Sequence, residues 1–541
     1  MVNLRKVILS FGILGVVTAC VKKEALKTDT LRFALGAEPP TLDSTLADTG
    51  VSILILKQTL STLFQYDEAG KIVPFDAETF EWSKDAKELR IKIRTDLKWS
   101  DGVPVTACQY RDTFLHLLSP SHTGTLSDLL YDIRGAESFK KADHAQKLAV
   151  SCDDQNFSLV IEVITPYSFK TLSALAFIST APFRKDRFEK LNEKWIVGDE
   201  NHPPIASGAF VIKEWRHDRS LLLEARSLTE TALPKDRLSE LKYIQIPIVK
   251  DPTTAFSMYE SNELDFLEEI PPTVLPKILE RSDRVITPYP TTYFVGYSFQ
   301  ANPVLKDSRV RKALAFSARQ SEIPTLLKGG ESAAYGWIYP DLLPKKFQSL
   351  NLDSELQKGA AKLLDTAGFK DRKKFPKLQL QYNGGERHQL LMERLAYLWK
   401  TELGIEVKLQ PVEWKLHVAQ LKNKAPDLYR YAWTAVYPDP LFFLELFHSE
   451  SMNNFGKWKN VEYDKILQEL KVVPLHLRDD IFFQKIQRMQ EILVREDPAM
   501  IPVYHYVRNA LVKKHVKGLR WGIEGMGSLN KVRIVHSGLK N

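Results

Sequence analysis

The chain has 541 residues and a formal net charge of +8. That length exceeds one compact core, so two or three domains are expected. Apolar residues at 44% and charged residues at 26% exclude a disordered chain and a membrane bundle. The basic residues are scattered rather than gathered into a stripe, which argues against a nucleic-acid partner.

The N-terminal stretch reads as a leader. Arg5 and Lys6 precede an apolar run, Val7 to Val17, of signal-peptide length and too short to span a bilayer. Val17-Thr18-Ala19-Cys20 then reads as a lipobox. Removal of residues 1–19 would leave Cys20 to carry a lipid and tether the chain to an extracytoplasmic membrane face. Cys108 and Cys152 are either a disulfide pair of an oxidising compartment or free buried thiols.

Strand-like and helix-like segments alternate along the chain, which predicts an α/β fold. Leu31 to Leu35 reads as a strand. Arg90 to Arg94 alternates apolar and charged residues, as a half-buried strand does. Phe157 to Ile164 is rich in β-branched residues and reads as another strand. Ser308 to Ser317 has helical spacing, with Val310, Ala313, Leu314 and Phe316 on one side. Ala360 to Ala367 continues as a helix up to Gly368. Leu390 to Leu403 carries a helical stripe and ends at Gly404. Ile405 to Leu409 then enters a strand, which makes half of an α/β crossover.

The chain carries none of the common catalytic strings: no Gly-x-Ser-x-Gly, no His-Glu-x-x-His, no phosphate loop and no dinucleotide glycine fingerprint. Ser138 and Lys141 match a short nucleophile pattern without a companion motif. Glu268 and Glu269 are neighbours in sequence, so they need not converge for acid–base work. The 12 histidines lack paired metal spacing. The expectation is that the chain is not an enzyme and has no metal and no cofactor.

A series of ordered strings resembles one known family. Glu38-Pro39-Pro40-Thr41-Leu42-Asp43 resembles the opening motif of the peptide/nickel class (family 5) of bacterial extracellular solute-binding proteins. Lys98-Trp99-Ser100-Asp101-Gly102 and its continuation to Ala107 is the most specific match. Ser207-Gly208-Ala209-Phe210 with Trp215, Asn262-Glu263-Leu264-Asp265, Asp307 to Leu314, Ala334-Tyr335-Gly336 and Ile501-Pro502-Val503-Tyr504 follow in the expected order. The strings span nearly the whole chain after residue 20 and are most similar to the oligopeptide-binding branch.

The resemblance implies a two-lobed periplasmic-binding-protein fold (class II-like) with an extra third domain. The first lobe would comprise 20–60, 185–287 and 504–541. The extra domain would comprise 61–184, and the second lobe 288–503. A monomer would capture an oligopeptide between the lobes and deliver it to the permease subunits of an ABC transporter. Two short segments, Asp48-Thr49-Gly50 and Ala432-Trp433-Thr434, would pair with the ligand backbone as strands do. Trp433 and Trp414 would be aromatic walls. His388 and Arg430 would meet a ligand carboxylate. Two departures stand out: where the family places the carboxylate that holds the ligand ammonium, this chain has Val436, and where it places a lysine near the ligand carboxylate, this chain has Asn302. At Val436, either the ligand lacks that ammonium charge or another acid, such as Asp439, supplies the counter-charge. A non-peptide solute (metal chelate, haem or sugar) or a sensor role without transport remain the alternatives.

Overall fold

The computed structural model describes residues 29–535, apart from 68–69, 125, 144–146, 227–233, 272, 349, 351–358, 436, 475–476 and 523–524. The leader, Cys20 and Val436 therefore lie outside the described residues.

Three sheets organise the chain. The first has four strands, in the order β1 (Thr30–Arg32), β8 (Tyr243–Pro247), β7 (Ser220–Ala225), β6 (Phe210–Arg216). Period-two patterning builds it: Leu221, Leu223, Ile244 and Ile246 point inward and are fully buried, while Gln245 faces out. The predicted strand at Leu31–Leu35 is shorter than expected. Pairing continues past Arg32 only as an isolated bridge from Leu35 to Ile248.

A second four-stranded sheet runs β2 (Ala77–Trp82), β3 (Glu88–Ile93), β5 (Ser158–Glu162), β4 (Val150–Asp153). Helix α2 (Ala107–Leu117) packs on it through Tyr110, Phe114 and Leu117. A disulfide joins Cys108 of α2 to Cys152 of β4, with their Cα atoms 5.2 Å apart. This settles the choice left open by the sequence. The family string at Lys98–Ala107 is scaffold here. Trp99 is fully buried, donates Nε1–H to Gln109 Oε1 at 2.9 Å and packs edge-on against Trp195. Asp101 accepts from Arg184 at 2.8 Å.

The third sheet has seven strands. Its main path is β9 (Phe266–Leu267), β14 (Met500–Val512), β10 (Arg284–Tyr297), β13 (Leu428–Thr434), β11 (Leu378–Asn383), β12 (Val407–Val412). β11 and β12 are parallel and joined through the helix Glu386–Leu398 and a last turn ending at Gly404, whose φ of 68° needs glycine. That is the crossover the sequence predicts. The helix Ser308–Phe316 also forms as expected. Its Arg311 is 1% exposed and donates to the carbonyls of Pro498, Leu305 and Lys306 at 2.6–2.9 Å, while pairing with Asp497. The Arg-Val-Arg motif thus ties this helix to the start of β14.

β10 and β14 are the long strands, and both extend beyond β13 to the β9 end of the sheet. At their far ends Arg284 pairs with Leu511, and Leu511 pairs with Leu267 of β9. Their register breaks between Pro288 and Thr292. The buried apolar residues divide accordingly. One cluster joins the first two sheets, and two others lie on the faces of the third.

Candidate functional site

A cavity of ~760 Å³ opens between the N-terminal sheets and the end of the third sheet. One wall is built by the segment after β1, by the start of helix α1 (Gly50–Thr59), by Leu267–Glu269 and by Arg508. The other wall is Tyr289, Thr434 and Ala435. Chain segments separated by nearly 400 positions meet here.

Asp48, Thr49, Gly50 and Thr434 all line this cavity. Thr49 is extended (φ −97°, ψ 145°), and its Oγ1 caps α1 by accepting from Ser52 N. Gly50 already belongs to the helix, so this segment is a helix N-terminus rather than a strand. Its first N–H groups have no carbonyl partner within the helix.

On the opposite wall Thr291, Thr292 and Tyr293 pair with Thr434, Trp433 and Ala432, and the Thr291 and Thr434 hydroxyls are 2.8 Å apart. On the other side of β13, β11 pairs only at Leu428 and Tyr429. Among the described residues, the edge from Tyr431 to Thr434 has no strand partner there. A backbone edge of this kind accepts an extended chain.

The two tryptophans lie apart from the cavity just described. Trp433 is half-buried, stacks on Phe442 (centroids 5.4 Å apart) and donates to Phe442 O at 3.3 Å. Trp414 is exposed, stacks on Tyr431, and lines a separate cavity of ~470 Å³ with Asn383, Gly384 and Glu413.

Arg430 is buried. It donates Nη1–H to Asn383 Oδ1 at 2.8 Å and Nη2–H to Tyr506 Oη at 3.2 Å, and its guanidinium lies 4.6 Å from the Tyr293 ring centre. Its Nε has no hydrogen-bond partner. His388 lies beside it, with Nδ1 3.4 Å from Tyr293 Oη. Burial, and then the nearby Arg430 and Arg387, push the His388 pKa down to about 3. The imidazole is therefore neutral near pH 7, and the positive charge belongs to the arginines. Arg387 pairs with Glu331 at 2.7 Å. The group holds two guanidinium ions against one nearby carboxylate, which suits an anion.

Asp439 is already engaged. It is 4% exposed, caps the helix Pro440–Glu445 by accepting from Leu441 N at 2.9 Å, and pairs with Arg478 at 2.9 Å. It lines a third cavity, shared with Asp132, Thr165 and Lys170 beside the second sheet. Of the two alternatives for the ligand ammonium, the one that uses Asp439 meets a carboxylate already held by Arg478.

The sequence did not mark Tyr289 and Arg508, and it weighed Glu268 and Glu269 only as an acid–base pair, not as ligand-site residues. Glu268 accepts from Trp521 Nε1 at 2.5 Å and lies 3.7 Å from Arg508 Nε. Burial pushes its pKa up despite these partners. The Arg508 guanidinium lies 4.8 Å from the Tyr289 ring centre. No motif spacing could have signalled this group, because the pairing of β9 with β14 creates it. Among the described residues no cluster of His, Cys, Asp and Glu could hold a metal ion, and no helix is long and apolar enough to cross a membrane.

Known proteins resemble the chain over nearly its whole length. The oligopeptide-binding protein of Bacillus subtilis is 27% identical over 515 residues, covering 92% of this chain and 91% of that protein. The periplasmic oligopeptide-binding protein of Escherichia coli is 29% identical over 496 residues, covering 89% and 88%. The unliganded open form of a periplasmic murein tripeptide binding protein superposes with a TM-score of 0.79 at 25% identity, covering 94% of this chain and 98% of the other. The two-lobed solute-binding fold is thereby shared. The model for bacterial extracellular solute-binding proteins, family 5, matches residues 71–455, and the chain belongs to that family.

Proposed function

We propose that this chain captures oligopeptides for an ABC importer, holding the ligand backbone between its lobes. One observation carries the reading. The unpartnered edge of Tyr431–Thr434 ends at Thr434, on the wall of the cavity that the helix N-terminus at Asp48–Gly50 also lines. Backbone pairing at such an edge gives affinity with little regard for side chains. Arg430, supported by Arg387, would take a ligand carboxylate, with His388 as a neutral neighbour. Trp433 would brace the strand edge, and Trp414 would offer an aromatic wall to longer ligands. Relatives named as oligopeptide-binding proteins support the ligand class.

The lobes would divide as 20–60, 185–287 and 504–541 against 288–503, with 61–184 as the side domain. Both junctions of the second lobe then fall within β10 and β14, next to the broken register, so these two strands would act as the hinge. The Cys108–Cys152 disulfide fits an extracytoplasmic compartment, with Cys20 as the lipid anchor.

Mass spectrometry of small molecules that copurify, followed by calorimetry with the matching peptide, tests the ligand class. A copurified chelate, haem or sugar, with no peptide binding, would overturn it. Cys20→Ala should release the chain from membranes. Intact residues 1–19 on the mature wild-type chain would overturn the anchor.

A further inference from the structure

Among the described residues, the cavity between the lobes holds several charges, and all but one are already engaged. Glu38 accepts from Trp215 Nε1 at 2.8 Å, from His217 Nδ1 at 3.0 Å and from Asp218 N at 3.1 Å. Glu268 is held by Trp521 and Arg508. Asp48 and Lys57, at the α1 end, also have polar partners. The opposite wall, Tyr289, Thr434 and Ala435, carries no charge. Asp439, the acid nearest in sequence to that wall, is buried against Arg478.

Glu269 differs from all of these. It is exposed and lines the cavity, and among the described residues no hydrogen bond or ion pair engages its side chain. The carboxylate lies flat on Gly36. A Cβ at position 36 would stand 2.6 Å from Glu269 Oε2 and 2.9 Å from Oε1. Gly36 thus leaves room for the carboxylate against the backbone of the first wall. When two lobes close on a solute, water leaves the space between them, and an unpaired ammonium there is strongly disfavoured. A carboxylate at the wall removes that cost, and in a drying cavity such an ion pair strengthens.

We infer that Glu269 determines specificity by receiving an ammonium group of the bound ligand, so that the first lobe supplies the counter-charge which Val436 withholds from the second. This rests on the peptide-binding reading above. The ammonium comes from the peptide N-terminus or from a lysine-like side chain, and the test separates the two.

The probes are tetra-alanine, its N-acetylated form, and four tetrapeptides that each carry one lysine, measured by calorimetry on the purified chain. For wild type, either acetylation should cost about tenfold in affinity or one lysine position should gain about tenfold. The first outcome identifies the terminal ammonium and the second a side chain. Glu269→Gln should abolish that increment and leave the affinity for the probe that lacks the ammonium in question (N-acetylated tetra-alanine in the first outcome, tetra-alanine in the second) within about twofold, since no hydrogen bond or ion pair of the fold rests on the side chain. Gly36→Ala, which displaces the carboxylate, should reduce the increment as well. An increment that survives Glu269→Gln, or no increment in wild type despite peptide binding, overturns the inference alone. Failure to bind any of the peptides overturns the peptide reading and the inference together.

Discussion

The Arg430 guanidinium lies 4.6 Å from the ring centre of Tyr293 and donates to Asn383 and Tyr506, and no carboxylate of the described residues pairs with it. A buried cation satisfied only by neutral groups keeps an attraction for anions. Arg430→Gln should therefore weaken binding of a peptide with a free C-terminus by about 2 kcal/mol. The C-terminal amide of the same peptide should lose much less. Calorimetry on both peptides checks the difference, and equal losses would remove the carboxylate role.

Arg311 is another buried guanidinium with a structural consequence. Three carbonyls and Asp497 hold it between the helix Ser308–Phe316 and β14. Arg311→Met removes the guanidinium from those three carbonyls and from Asp497, which keeps only Trp458 and Asn460 as donors, and should cost about 3 kcal/mol or more in stability. Urea unfolding followed by far-UV circular dichroism measures it. A loss below about 1 kcal/mol would show that water satisfies these groups.

The Cys108–Cys152 bridge closes a loop with a sequence separation of 44. Chain-entropy arguments give about 4 kcal/mol at most for a loop of that size. The double variant Cys108→Ser, Cys152→Ser should lose roughly 2–4 kcal/mol. Reductant should destabilise the wild type and leave the double variant unchanged. The loss should fall on the second sheet, since β4 belongs to it and α2 packs on it.

His505 is fully enclosed at the bend of β14, with Nδ1 2.9 Å from Thr292 Oγ1 and its ring against Tyr339. Burial pushes its pKa down to about 3. An unfolded histidine titrates near 6.5. The unfolded chain therefore binds more protons between these values, so this contribution to stability is complete above about pH 6.5 and is lost as pH falls toward 3. His505→Gln should flatten that acid limb of stability against pH. An unchanged limb would assign it to other groups, such as Asp265, whose pKa is lowered by His515 and Arg32.

Much of this architecture was legible in the sequence where the pattern is local. The Ser308–Phe316 helix and the β11–β12 crossover follow from apolar spacing and from the glycine at position 404. The resemblance gave the order of the pieces but not their chemistry. Trp99 and Arg311, which sit in its most specific strings, are scaffold residues. Glu268, Glu269 and Arg508 were invisible as a group because β9 meets β14 across some 240 positions. The commitment of Asp439 to Arg478 has the same cause: a side chain 39 positions away decides it. Helical geometry at Gly50 was missed because the cap at Thr49 is a single side-chain bond with no acidic first turn to announce it.

The strand edge at Tyr431–Thr434 makes the most general demand on a ligand. β13 pairs with β10 on one side along its whole length, while β11 leaves it after Tyr429. A ligand that adds itself there uses alternate N–H and C=O groups, and its side chains point up and down from the strand plane. Backbone changes should then matter more than side-chain changes. A single N-methyl group on a ligand residue whose N–H faces β13 removes one hydrogen bond and adds a clash, which should cost about 2 kcal/mol. An N-methyl on the next residue, whose N–H faces away, should cost far less. The penalty should alternate with a period of two along the peptide, while exchange of alanine for serine or valine at the same positions stays within about tenfold. Trp433→Ala should soften the pattern, because its ring stacked on Phe442 holds the strand edge in place. An N-methyl scan without alternation, or one in which side chains outweigh methylation at every position, would show that this ligand is held by pockets and not by strand addition.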